Sequence, residues 1–311
     1  MADGDPRRAT LKDVAAASGV SRATVSFVLN ETPNQTISPA TRERVLRTAR
    51  DLGYVPHGIA RALREGASRI VVLHIESGLE GNYSRTFIHG LDQELAANHH
   101  VLLVRHGPPT DEAAKQILDA IRPRAVIRFG EIYRTGHELD DVGGGWQDGL
   151  AAHATMQIRY LAARGHTRIA LATPANPPLA EVRLGFANQA AAALGLPPLT
   201  TVVVPRPRPA GATAIATFRA TNPSTTAIAA YDDDTALRAL TAMHDLGLSA
   251  PSDLAVIGFD DTEYGALTTP ALTTVHIDAE AHGRMAARAA LGLDTTGLNP
   301  TPGQIIQRDS A

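Results

Sequence analysis

Residues 10–30, TLKDVAAASGVSRATVSFVLN, constrain the fold more than any other stretch of the chain. They spell two short helices joined by a tight turn. Thr10 is a good N-cap, and Asp13 three residues on makes an acidic variant of the capping box. Leu11, Val14 and Ala15 recur at helical spacing. Gly19 breaks the pattern where a residue with φ > 0 is needed. Ser21 caps a second helix whose Val25, Val28 and Leu29 form one apolar face, so Arg22, Ala23 and Ser26 point outward. A helix-turn-helix needs this division, one face for its own small core and one for the DNA major groove.

The next segments extend the same unit. Ser38-Pro39 is an N-cap followed by Pro at the first helical position. The helix it starts runs through Thr41, Val45, Leu46, Ala49 and Leu52 and stops at Gly53, with Arg42, Arg44, Arg47 and Arg50 on its outer face. In YVPHGIARALREG, Pro56 starts a short fourth helix and Gly66 ends it. Residues 1–69 hold eleven Arg or Lys against seven Asp or Glu, a net of +4, which leaves −7 for the remainder. A basic module on an acidic body suits phosphate contact by the module alone. Each single Arg can equally be a solvated surface group.

The motifs TLKDVAAASGVS, TVSFVLN, SPATRERVLRTARDLGYVP and ARAL resemble the lactose-repressor/galactose-repressor (LacI-type) family of bacterial transcription regulators. GHTRIAL at 165–171, LGLSAPSDLAVIGFDD at 246–261 and PALTTVHID at 270–278 resemble that family's effector-binding core. The resemblance implies a helix-turn-helix headpiece over 1–56, a hinge helix and linker over 57–68, and an effector-binding and dimerisation core over 69–311. It implies a homodimer on a pseudo-palindromic double-stranded DNA operator. Thr10, Ser21, Arg22, Ala23, Thr24, Ser26, Phe27 and Asn30 would meet DNA in the headpiece. In the hinge, Leu63 would wedge into the minor groove, with Ala60 against its floor. Phe27 stands where the family more often has an Arg.

From residue 69 onward strands and helices alternate. RIVVLHI, HVLLVRH and AVIRF form one group of strands; RIALA, VVV, AIAA and LAVIGF form another, with helices between. That rhythm predicts two doubly wound parallel-sheet subdomains, with a helix near 279–291 and the strand QIIQR packing across the pair; the resemblance implies that they are of periplasmic-binding-protein-like type. Ligands in such sheets lie beyond the C-terminal strand ends. The rule selects Glu76, Ser77, Asn82, Tyr83, Arg183, Asp232, Asp233, Asp234, Asp260 and Asp261. The resemblance supports Arg183, Asp232, Asp233 and Asp260 as effector contacts. Asp233 and Asp234 have a second reading as helix caps, and Arg183 a second reading as a surface residue. PRPRPAG at 205–211 reads as a surface loop.

Two departures bear on the effector. The stretch from Gly130 to Gly165 is short for the helix and strand the family places there, so the first subdomain is expected to lack an element or carry a rearranged edge. The aromatic cluster of sugar-binding members is changed to GNYSRTF, and aromatics make up only 4% of the chain. Three readings therefore stay open: a regulator that senses a small polar metabolite, the same regulator with an effector-blind core, and a solute-binding protein or enzyme. No P-loop, G-x-S-x-G or HExxH motif supports the last. No cofactor and no metal site is expected. With no Cys, no apolar run near membrane-spanning length and no apolar leader in MADGDPRRAT, the expected location is the cytoplasm, without a membrane partner.

Overall fold

The computed structural model describes residues 9–29, 35–54, 68–75, 79, 81–107, 112–129 and 145–311. Contacts divide the chain into two units, Met1–Ser68 and Arg69–Ala311.

In the first unit, α1 (Leu11–Ser18), α2 (Arg22–Leu29) and α3 (Pro39–Asp51) form a three-helix cluster. The Thr10 hydroxyl accepts from the Asp13 amide at 3.3 Å, and the Asp13 carboxylate accepts from the Thr10 amide at 2.8 Å. This is the reciprocal cap the sequence predicts. Gly19 closes α1 at φ 66°, the left-handed region that costs a side chain most. Ser21 Oγ accepts from the Thr24 amide at 3.0 Å and starts α2. Val14, Ala15, Val25, Val28, Val45 and Ala49 fill the space between the three helices. Leu46 and Leu52 do not join them: they are 40% and 41% exposed. Arg44 is not free on the outer face either, because its Nε donates to the Ser18 carbonyl at 3.0 Å and ties α3 to the end of α1.

The second unit opens with a three-stranded parallel sheet of order β2-β1-β3, where β1 is Ile70–Ile75, β2 Val101–His106 and β3 Ala125–Phe129. Helix α4 (Asn82–Ala97) links β1 to β2, and α5 (Glu112–Ile121) links β2 to β3. α4 has no side-chain cap hydrogen bond. Its cap is the backbone of Gly81, which donates to Ser84 Oγ at 2.9 Å. Val71, Leu73 and Ile75 pack with Phe87, Leu91 and Leu95 of α4 and with Ala279, Ala287 and Leu291 of a helix from the far end of the chain, Ala279–Leu291.

The second sheet is parallel with order β5-β4-β6-β7: β4 Ile169–Thr173, β5 Thr200–Val203, β6 Ala227–Ala230 and β7 Ala255–Ile257. Helix α6 (Gly145–Ala163) leads into it, followed in order by α7 (Ala180–Ala193), α8 (Arg208–Thr221) and α9 (Asp233–Asp245). Ile158, Leu161, Leu171, Ala191 and Ile257 build one core, and Ile215, Phe218, Ile228, Met243 and Val256 another. The predicted loop at 205–211 is half wrong. α8 begins inside it at Arg208, with Pro209 in the first turn, and Arg208 Nε donates to Asp245 at 2.8 Å. β8 (Thr274–His276) and β9 (Gln304–Ile306) pair antiparallel; the Ala279–Leu291 helix between them is α10. Among the described residues the first sheet has three strands, and residues 130–144 alone lie between β3 and α6.

Candidate functional site

Two places gather the candidate functional side chains, one in each unit. In the first, α2 divides as its sequence requires. Val25 and Val28 are buried, Ser21, Arg22 and Ala23 are exposed, and Thr24, Ser26 and Phe27 are half-buried. The Ser21 and Thr24 hydroxyls lie 2.9 Å apart, so the first turn is held by its own side chains while Arg22 stands clear of it. Thr10 is exposed, its hydroxyl donating to Asp13 at 2.7 Å. Asn30, Ala60 and Leu63 lie outside the described residues, as do Glu76 and Ser77.

In the second unit, the C-terminal ends of β4, β6 and β7 gather a set of polar and aromatic groups. Arg183, in the first turns of α7, is 3% exposed, so the surface reading of this residue is corrected. Its guanidinium lies over the Phe259 ring, 3.6 Å from the centroid, and donates to the Ala230 and Tyr231 carbonyls at 3.3 Å each. The stacking keeps the charge in a defined plane without removing it. Gln157 of α6 bridges the same strand ends. Its Nε2 donates to the Ala230 and Gly258 carbonyls at 3.0 Å each, and its Oε1 faces Arg183 at 3.5 Å.

The three consecutive aspartates have different jobs. Asp232 caps α9, accepting from the Thr235 amide at 2.7 Å. Burial holds its carboxyl above the ordinary range. Asp233 spends both carboxylate oxygens on the fold itself. It is 2% exposed, and its oxygens accept from the Phe259 amide (2.7 Å), the Thr274 hydroxyl (2.6 Å) and the Thr262 amide (2.6 Å). It fastens the loop after β7 to β8, and burial pushes its carboxyl up to about 7 against the pull of those donors. A side chain on Gly258 would overlap Asp233, so that glycine makes room for the clamp.

Asp260 and Asp261 end the same loop at φ 103° and 51°, positive values that are uncommon outside glycine but that aspartate enters more readily than most side chains. The Asp260 amide donates to the Val275 carbonyl at 2.9 Å, and Asn82 Nδ2 of α4 donates to the Asp260 carbonyl at 2.7 Å. The backbone is thus gripped from both subdomains, while the Asp260 carboxyl makes no side-chain hydrogen bond among the described residues. Burial and then the nearby Asp233 and Asp232 hold its proton on well above the usual range. Asp261 instead pairs with Arg308 at 2.9 Å and His276 at 3.1 Å.

Tyr83 sits on α4 with its hydroxyl 2.9 Å from His282 Nδ1 of α10, its ring centroid 6.5 Å from that of Phe87. It serves the packing of α4 on α10. His153 of α6 meets the Phe259 ring edge-on at 6.3 Å, and burial, aided by His282 and Arg183, lowers its pKa to about 4. The phenol of Tyr231, pushed up to about 12 by burial, feels Arg183, Asp232 and Asp260 at once. Sequence reasoning missed His153, Gln157, Tyr231, Phe259 and His282. A usable signal existed for two of them: His153 and Gln157 stand at i and i+4 in line with the buried Leu161, polar groups on an apolar helix face. Among the described residues no group of three or more His, Cys, Asp or Glu is placed to hold a metal, and no helix is long and apolar enough to cross a membrane.

The arrangement offers acidic acceptors, one fixed cation and aromatic rings, which suits a small polar molecule. Comparison with known proteins agrees with this division of labour. A family described as bacterial regulatory proteins, lacI family, matches residues 10–57, and a periplasmic binding protein-like domain matches 158–310. The transcriptional regulator CelR of Thermobifida fusca is 30% identical over 322 aligned positions, covering 91% of this chain and 91% of that protein. The alignment is longer than the 311-residue chain, so the relative holds residues this chain lacks. The transcriptional repressor PurR of Edwardsiella ictaluri is 27% identical, covering 89% and 88%. The lac repressor dimer bound to operator and the anti-inducer ONPF superposes with TM-score 0.74 at 20% identity, over 98% of this chain and 99% of that one.

Proposed function

The chain belongs to the lacI family of bacterial regulatory proteins, and from that premise we propose that it represses transcription as a homodimer on a pseudo-palindromic operator. Residues 1–56 read DNA, 57–68 form the hinge and linker, and 69–311 dimerise and sense a small polar metabolite. The protein works in the cytoplasm, where its operator is, and catalyses no reaction. One observation carries the reading: α2 buries Val25 and Val28 in its own small core and leaves Ser21, Arg22 and Ala23 exposed at its start. That is the face a recognition helix turns to base edges. Arg42, Arg47 and Arg50 remain available for phosphates, and Ser21 and Thr24 hydroxyls help to set the register.

The core supports metabolite sensing through Asp232, Arg183 and Asp260, with Asp233 and Tyr83 reassigned to holding the site together. A footprint upstream of the protein's own and neighbouring genes tests the whole. The full chain protects a short pseudo-palindrome, with affinity falling steeply as salt rises, because each headpiece displaces several counterions. Residues 70–311 alone do not bind. Full operator affinity in that core would overturn the assignment of DNA reading to α2.

A further inference from the structure

We infer that the first turn of α4 is a latch that holds the core closed when no metabolite is present, with Asn82 as its polar contact and Tyr83 as its apolar one. This rests on the metabolite-sensing reading above and adds to it how entry to the site is controlled. The turn that ends the loop after β7 is fastened within the second subdomain. The Asp260 amide donates to the Val275 carbonyl at 2.9 Å, the Asp261 amide donates to Thr274 Oγ1 at 3.4 Å, and the Asp261 carboxylate pairs with Arg308 at 2.9 Å. That leaves the turn its own carbonyls to offer the first subdomain. Asn82 takes both: its Nδ2 donates to the Asp260 carbonyl at 2.7 Å and to the Asp261 carbonyl at 3.3 Å. Its Oδ1 accepts from Arg85, one turn on, at 3.5 Å, which aims the donor side of the amide at the turn. The residue before it is as close, since a Cβ built on Gly81 would lie 3.9 Å from Asp260 Oδ2.

Tyr83 adds the apolar half. Its ring faces Phe87 and Phe129 of the first subdomain, with centroids 6.5 and 6.0 Å away. It also packs against Phe259, Val275 and Ile277, a cluster of the second. Among the described residues the two sheets share no strand, so parting the subdomains breaks these contacts and leaves both ladders whole. Two compact bodies joined by a few side-chain contacts make a two-state element. GNYSRTF, where sugar-binding members carry their aromatic cluster, thus spends its Asn and Tyr on the chain's own second subdomain. A metabolite approaching the Asp260 carboxyl meets a turn already held from the other side. It enters when the latch parts, and its apparent affinity falls in proportion to the fraction of chains that are open.

The test reads the distance between the subdomains directly. The chain has no Cys, so His89→Cys on α4 and Glu181→Cys on α7, both exposed positions, take a spin-label pair at those two places alone. Labelled chain is diluted into unlabelled chain so that a dimer carries one labelled protomer, and the full-length protein is measured with no metabolite added. The expected result is a single short distance with Asn82 in place, and a distance longer by several ångströms as the major population in both Asn82→Ala and Asn82→Asp. The second variant separates a latch from a helix start. A carboxylate in the first turn of α4 suits the helix dipole and Arg85, so a role confined to the helix start predicts an unchanged or firmer closed state. A latch predicts opening, because a carboxylate has no proton to give to two carbonyls. Two distances with Asn82 in place, or a short distance retained in either variant, would overturn the inference. Metabolite sensing is judged separately. An open core with Asn82 in place leaves sensing standing, whereas a closed core whose unfolding temperature no compound of a metabolite screen raises would remove sensing and leave the latch.

Discussion

Asp233 and His153 are buried titratable groups with opposite consequences for stability. The His153 imidazole falls from 6.5 to about 4 on folding. Between those values the unfolded chain binds a proton that the folded chain refuses, so its contribution to stability is lost as pH drops through that interval. The Asp233 carboxyl rises from 3.8 to about 7, so the folded chain holds a proton that the unfolded chain releases, and stability is lost as pH rises through that interval. Urea unfolding should separate the two. His153→Gln is expected to flatten the acid-side loss. Asp233→Asn should remove the opposing slope and cost about 1–3 kcal/mol, because an amide N–H would face donors where a carboxylate oxygen now accepts. Unchanged slopes in both variants would mean that neither group titrates within those limits. At the same scale, Arg22→Ala should lose roughly 1–3 kcal/mol per base contact and relax preference at one position in each half-site. A uniform loss over all sequences would make Arg22 a phosphate contact. The strand-end rule picked out Asp260 and Asp232, and both do lie just past the C-terminal ends of β7 and β6. Gln157 was not legible, because its partners, the carbonyls of Ala230 and Gly258, are far away in the chain.

Side-chain caps made helix starts legible. Thr10, Ser21 and Ser38 each announce a helix in this sequence, and all three helices start where they stand. α4 starts at a glycine backbone, and α8 inside a Pro-rich run, so neither start carries an N-cap letter. That the 279–291 helix packs across the pair was legible, but its partner, α4, was not, because the crossing joins the beginning and end of the core. Two glycines make it possible. A Cβ on Gly283 would lie 2.1 Å from the Phe87 carbonyl, and one on Gly90 would lie 2.0 Å from that of Glu280. Both obstacles are backbone, which cannot swing aside. Gly283→Ala should therefore push the helices apart and destabilise the core by about 1–3 kcal/mol or more. The exposed Gly185 of α7, with nothing within 4 Å of its Cβ position, is the control: Gly185→Ala should be neutral or slightly stabilising. Equal midpoints for the two variants in thermal unfolding would show that the crossing yields more easily than its contacts imply.

For the molecule as a whole, the charge division into a basic headpiece and an acidic core was readable from composition along the chain, and so was the two-sheet plan of the core. The pocket's charge state was less readable, because it depends on which carboxyls are already satisfied, and only the folded arrangement separates the committed Asp233 from Asp260, whose carboxyl makes no side-chain hydrogen bond among the described residues. That distinction sets the last prediction. A ligand held by Asp260 stabilises the native state by mass action, so it should raise the unfolding temperature in proportion to the logarithm of its concentration above Kd. If the same binding regulates transcription, operator affinity must change in the same titration, and operator DNA must change ligand affinity by the same factor. Asp260→Ala should abolish both responses while leaving ligand-free operator binding nearly intact, because its side chain joins no clamp or cap. The left-handed backbone at φ 103° gives a second variant, Asp260→Gly, which removes the carboxyl and relieves the strained conformation. It should be as blind to ligand as Asp260→Ala and at least as stable. Retained responses in both variants would take Asp260 out of the ligand site. A wild-type thermal shift with no change in operator affinity would mean that the core binds its metabolite without signalling it.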